Sequence, residues 1–170
     1  MHIEITVNVI EYLCQQADLG YESPYKQERM GFLFGTIKNR TIKITKAVAY
    51  KGGVRKRSGV DYYADSFDKR GNALSVQLRR KWLGTYHTHV EESNDIAIGL
   101  SDADRKTFVE NSLPIELVIS IWATDNSGCL KRGRKKLLAI KRFGDTNYRY
   151  VISGYLITKQ EPRLVRTIKG

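Results

Sequence analysis

Cysteine is scarce in this chain of 170 residues: only Cys14 and Cys129 occur. They lie far apart with no C-x-x-C spacing, which excludes a disulfide framework or a thiolate metal knuckle and fits a reducing compartment. Both read as buried apolar fillers. Long apolar runs are absent too, since no stretch approaches the ~18 residues of a membrane span. The opening MHIEITVNVIEYL carries Glu4 and Glu11 where a secretion signal is basic and then uninterruptedly apolar. The expectation is a soluble, cytoplasmic protein. Repeats, low-complexity tracts and linker-like joins are also missing, so one domain is expected. A chain of this length buries about 70% of its unfolded surface. It needs no staple, so a bound metal would serve chemistry rather than folding. Acidic residues are the last shortage: 18 Asp and Glu against 29 Lys and Arg leave a formal net charge of +11. That balance favours polyanions or an acidic protein partner.

Periodicity then orders the chain. Ile3, Ile5 and Val7 alternate as in a strand, and Ile10, Leu13, Cys14 and Ala17 fall at helical spacing up to about Gly20. MGFLFGTI and TIKITKAVAY flank Lys38-Asn39-Arg40 and read as a β-hairpin. Residues 51–58, KGGVRKRS, read as an exposed basic loop. Leu74, Leu78 and Trp82 repeat every four residues and predict an amphipathic helix whose start Gly71 obscures. LGTYHTH predicts a strand, VEESNDIAIG a loop, and Ser101 the cap of a further helix to about Glu110. The apolar run ELVISIWA predicts a central strand, placing Trp122 in the core. Asp125 to Gly128 reads as a turn, KLLAIKRF and YRYVISGYLI as strands, and residues 159–170 as a basic tail. This order argues for an α/β fold of the mixed α+β kind, a single mixed sheet with helices on its faces.

Two of the three histidines stand in GTYHTH. Residues i and i+2 of a strand point to the same face, so His87 and His89 bring their imidazoles close enough to share one ion. Catalytic zinc takes three protein ligands and a water. Asp104, three residues beyond the cap Ser101, offers a third ligand where a helix start favours a carboxylate. Glu28, ahead of MGFLFG, is the candidate general base for a metal-activated water. Taken alone, Ser101-x-x-Asp104 is also an ordinary helix cap, and Asp102 and His2 are possible substitutes among the ligands.

Glu28-Arg29-Met30-Gly31-Phe32-Leu33-Phe34-Gly35, then His87-Thr88-His89, then Ser101-x-x-Asp104, in this order, resembles the JAMM (MPN+, JAB domain) metalloprotease family. The likeness runs from about Met1 to Ile157. It implies a cytidine-deaminase-like JAMM/MPN architecture over residues 1–158, one Zn²⁺ per chain on His87, His89 and Asp104, Glu28 as general acid/base, and Ser101 as a holder of the oxyanion. It further implies an isopeptidase or peptidase acting after the C-terminal tail of a ubiquitin-like modifier. The absence of a long insertion after Asp104 resembles stand-alone prokaryotic members.

Two departures from that pattern stand out. Val90 follows the second histidine where the family has Pro, and eleven residues rather than about seven separate His89 from Ser101. The longer loop brings Glu91, Glu92 and Asp95 within reach of a fourth metal position. Basic runs at 55–57, 79–81 and 131–136 supply a surface for an acidic partner, and without interleaved aromatics they do not mark a nucleic-acid platform. The rival reading is a non-catalytic basic module on the same scaffold, holding nucleic acid or an acidic protein.

Overall fold

A computed structural model of the chain describes residues 1–90, 97–110, 113–123, 138–140, 148–158 and 161–170. The sequence reading at 91–96, Asp125 to Gly128, Cys129 and 131–136 lies outside them. The architecture is the expected mixed α/β: a mixed sheet flanked by helices. The elements are β1 (His2–Ile5), α1 (Val7–Tyr21), β2 (Met30–Lys38), β3 (Thr41–Ala49), β4 (Val54–Lys56), β5 (Gly59–Asp61), α2 (Ala64–Leu78), β6 (Lys81–Val90), α3 (Asp102–Glu110), β7 (Ile115–Ala123), β8 (Leu138–Ile140), β9 (Tyr148–Thr158), β10 (Glu161–Val165) and β11 (Thr167–Lys169). The main sheet runs β10-β9-β7-β6-β2-β3-β1-β11, with β8 also paired to β9, while β4 and β5 form a separate hairpin.

The sheet buries both faces with different partners. One face carries Leu33, Tyr86, Leu117, Ile119 and Ile152, and packs on Val9, Ile10, Leu13, Cys14 and Ala17 of α1. These α1 residues recur at the three-to-four spacing that makes one apolar stripe, and each large one contributes about 1.5–3 kcal/mol on burial. Two side-chain bonds fix the docking: the Tyr12 hydroxyl accepts from the Ala49 N–H at 2.8 Å, and the Tyr150 hydroxyl donates to Asp18 at 2.6 Å. The opposite face is shared. Phe32, Phe34 and Trp82 pack with Phe67 and Leu74 of α2, and Val118 and Tyr155 pack with Leu100 and Phe108. Between those two clusters lies a gap floored by β6 and β7.

Trp82 and the histidines share this second face because β6 is bulged. Leu33 pairs with Gly84 and Phe34 with Trp82, which leaves Leu83 as the extra residue. Leu83 is buried with the α1 cluster. Without the bulge, Trp82 and His87, an odd number of residues apart, would face opposite ways.

Three readings need correction. Trp82 does not extend the second helix; α2 ends at Leu78, and Trp82 opens β6 and lays its ring on Gly71, where a Cβ would sit 2.7–2.9 Å from ring carbons. Gly71 is therefore interior to the helix, and it is small because an indole covers it. The basic loop 51–58 contains the first strand of the β4–β5 hairpin, although its side chains stay largely exposed. Within the stretch read as a basic tail, Glu161–Val165 and Thr167–Lys169 are strands of the sheet: β10 pairs antiparallel with β9, and β11 pairs parallel with β1. Val165 and Thr167 are buried on either side of the exposed Arg166, and with Arg163 and Lys169 also exposed the segment reads as charge rather than as strand. Cys14 and Trp122 are buried as expected. Among the described residues, no helix is long and apolar enough to cross a membrane.

Candidate metal centre

The centre is assembled by strand parity, strand register and one helix cap. His87 and His89 project from the last turns of β6's pleat into the gap between α2 and α3. Their Nε2 atoms lie 3.1 Å apart. At that distance two bare lone pairs repel, so a proton or a cation must lie between them. Asp104 closes the triangle, with Oδ2 3.6 Å from His87 Nε2 and 3.3 Å from His89 Nε2. A tetrahedral zinc with ligands at ~2.0–2.1 Å sets its donor atoms ~3.3 Å apart. The three edges bracket that value, and the donor set of two imidazoles and a carboxylate is one zinc accepts. His87, His89 and Asp104 can therefore hold one metal ion. His2, on β1 with its ring 3.5 Å from the Thr41 hydroxyl, and Asp102 are not part of this group.

The cap works in both directions. The Ser101 hydroxyl donates to Asp104 Oδ2 at 2.6 Å, the Ser101 N–H donates to the same oxygen at 2.8 Å, and the Asp104 N–H donates to the Ser101 hydroxyl at 3.1 Å. This reciprocal box starts α3 and leaves the carboxylate aimed at the histidines. The ordinary cap and the candidate ligand are thus one residue doing both jobs. Upstream, Gly99 has φ +93°, and a Cβ there would run into the Tyr155 hydroxyl, which accepts from the Leu100 N–H at 3.3 Å.

Glu28 is held by what surrounds it. The Arg29 N–H donates to the Thr88 hydroxyl at 2.9 Å, and the Thr88 N–H donates to the Arg29 carbonyl at 2.8 Å. Thr88, fully buried between the histidines and facing away from them, thereby sets Glu28 beside His89. The Glu28 N–H donates to the Lys56 carbonyl at 2.8 Å, tying the segment to the β4–β5 hairpin. Glu28 Oε1 ends 3.9 Å from His89 Nε2.

One participant escaped the sequence reading. Glu116, on β7 and 6% exposed, meets His87 Nδ1 at 2.7 Å through Oε1, while its Oε2 accepts from the Thr85 hydroxyl. The available signal was a lone acid at the head of an otherwise apolar strand run.

Electrostatics follow the contacts. Burial by itself would lower the His87 pKa, but hydrogen bonds and charge from Asp104 and Glu116 outweigh it and push the imidazole up to about 10 in the metal-free site. For Asp104, burial acts upward, yet both imidazoles and the Ser101 hydroxyl hold the carboxyl far below the usual carboxylate range. These contacts keep the Asp104 carboxylate charged and draw positive charge toward it. Two hollows flank it. One, about 330 Å³, is lined by Glu28, Arg57, Ser58, His89, Ser101 and Asp104 among others. The other, about 280 Å³, reaches from the hairpin residues Val60 and Asp61 down to His87 and Glu116.

No family model matches the chain, and no curated protein matches it in sequence. In structure it is similar to protein DSY2949 from Desulfitobacterium hafniense, with a TM-score of 0.55 and 14% identity over 99% of this chain and 92% of that one. It also aligns with AF2198, a JAB1/MPN domain protein from Archaeoglobus fulgidus, with a TM-score of 0.45 and 11% identity over 98% of each chain. The first of these likenesses extends over nearly the whole of both chains and concerns the fold alone.

Proposed function

We propose that this protein is a zinc-dependent isopeptidase or peptidase that hydrolyses the bond after the C-terminal tail of a ubiquitin-like modifier, in deconjugation, precursor processing or both. The observation that carries the reading is the convergence of three ligand atoms within 4.8 Å of one another, with a glutamate oxygen 3.9 Å from one of them. A zinc ion on His87, His89 and Asp104 would polarise a water and the scissile carbonyl and bring the water's pKa toward ~7. Glu28 lies at the edge of the ligand triangle and on the rim of both hollows. From there its carboxylate takes the proton of the attacking water and returns it to the leaving amine. When that amine is a lysine side chain, the reaction is deconjugation.

Ser101 borders the 330 Å³ hollow but donates its hydroxyl to Asp104. To serve an oxyanion it must turn from that acceptor toward the hollow, where it is exposed. The hairpin at the mouth carries Arg55, Lys56 and Arg57. With the net charge of +11, this edge would draw an acidic modifier or partner toward the centre.

The test is hydrolysis of ubiquitin-like fusions by the zinc-loaded protein, with and without a chelator, beside Glu28→Gln. The variant is expected to bind zinc and to be about 10²- to 10⁴-fold slower. Cleavage at wild-type speed by Glu28→Gln would remove Glu28 from the reaction. Salt-sensitive nucleic-acid binding that persists without zinc, with no hydrolysis, would favour a basic binding module instead.

A further inference from the structure

The two histidines are held differently. A carboxylate can only accept, so the 2.7 Å contact with Glu116 requires a proton on His87 Nδ1 and leaves the Nε2 lone pair as the ring's metal-ligating atom, facing Asp104 and His89. Glu116 is itself fixed: Thr85 and Glu116 face each other across the β6–β7 ladder, and the Thr85 hydroxyl donates to the second carboxylate oxygen. Among the described residues His89 has no such support, since its buried Nδ1 meets no hydrogen-bond partner there.

We infer that Glu116 is the positioning residue of this centre: it fixes the tautomer and ring angle of His87, makes that imidazole the anchor of the metal, and supplies a buried negative charge behind it. The inference rests on the metal-centre reading above. The cost of such an arrangement argues for a role. A buried glutamate at the second position of a nine-residue strand whose other side chains are mostly apolar gives up hydration that a Leu or Val would not. Among the described residues the carboxylate recovers it through His87 and Thr85, and a ligand imidazole backed by a carboxylate is a better electron-pair donor to a cation. Among the described residues, the gap thus presents three carboxylates, Glu28, Asp104 and Glu116, around two imidazoles. A dication balances two of the three charges, and the third adds to its retention.

Glu116→Gln separates charge from shape. Its amide oxygen can still accept from His87 Nδ1–H, and its amide nitrogen can donate to the Thr85 hydroxyl, so the strand and the ring stay in place. Zinc affinity is read by chelator competition, with the thermal midpoint of the metal-free protein as the fold control. Glu116→Gln should bind zinc about 10-fold more weakly and Glu116→Ala toward 100-fold more weakly, with Thr85→Val between wild type and Gln. Nitrogen-15 spectra of the zinc-loaded wild type should show one imidazole Nδ1–H protected from exchange, and that resonance should shift in Glu116→Gln. Zinc affinity within twofold of wild type in Glu116→Gln, with an unshifted Nδ1–H, would overturn the assignment. If the wild type itself binds no zinc, the metal-centre reading fails. If it binds and the Glu116 variants bind equally, only the role of Glu116 fails.

Discussion

Gly99→Ala tests how the approach to α3 presents Asp104. At φ +93° an alanine pays about 1–3 kcal/mol of backbone strain. Its Cβ also collides with the Tyr155 hydroxyl, so the hydrogen bond from the Leu100 N–H is displaced at about 1 kcal/mol more. The total is roughly 2–4 kcal/mol, which for a domain of this size lowers the thermal midpoint by roughly 4–16 °C. Tyr155→Phe separates the two contributions. Alone it should destabilise by about 1–3 kcal/mol, because Leu100 N–H is left buried and unpartnered. Combined with Gly99→Ala it should cost less than the sum by at least about 0.5 kcal/mol, because the collision partner is gone. Denaturant unfolding of the four proteins gives the cycle, and chelator competition follows the metal site, which should weaken in Gly99→Ala because Leu100 and the capping Ser101 follow directly. A cycle that closes additively, or an unchanged stability in Gly99→Ala, would refute the steric account.

Other consequences can be checked as directly. Thr88→Val removes the acceptor of the half-buried Arg29 N–H and should cost about 1–2 kcal/mol; because Thr88 turns away from the metal, zinc affinity should hold while turnover of a modifier fusion falls, and a variant with full activity would detach Thr88 from the placement of Glu28. Burial, with Asp18 adding to it, pushes the Cys14 thiol up to about 12; in a Cys129→Ser background, alkylation of native protein at pH 8 should be at least about 10³-fold slower than after unfolding. The same elevation adds stability that is fully present below about pH 9 and lost as pH rises toward 12, which a Cys14→Ala comparison of unfolding against pH would reveal.

The parts of the centre visible in the sequence are those whose geometry is local. His87 and His89 share a face by a period of two, and Ser101 and Asp104 share a helical turn, so each pair follows from spacing alone. Glu28 was visible only through its place in a pattern, since its position beside His89 depends on Thr88 and Arg29 bonding across 59 residues. Glu116 was invisible because its partners come from another strand, and β6–β7 register decides which residue stands beside which. The same limit explains the terminal strands: β11 is three residues long and acquires its identity from β1, more than 160 residues away. Trp82 misled because four-residue spacing from Leu78 crosses the left-handed Arg79, where α2 stops.

The bulge at Leu83 gives β6 two independent halves. Counting by twos from His89 reaches Thr85 but can never reach Trp82, yet all three look toward the same side of the sheet. The extra residue absorbs the mismatch, much as a leap day reconciles two calendars. Loss of Leu83 would hollow the α1 core without turning any neighbour around, whereas loss of one residue between Thr85 and His87 would set the two ends of the strand against each other. The anchoring tryptophan and the candidate ligands would then demand opposite sides, and the chain would have to abandon one of them.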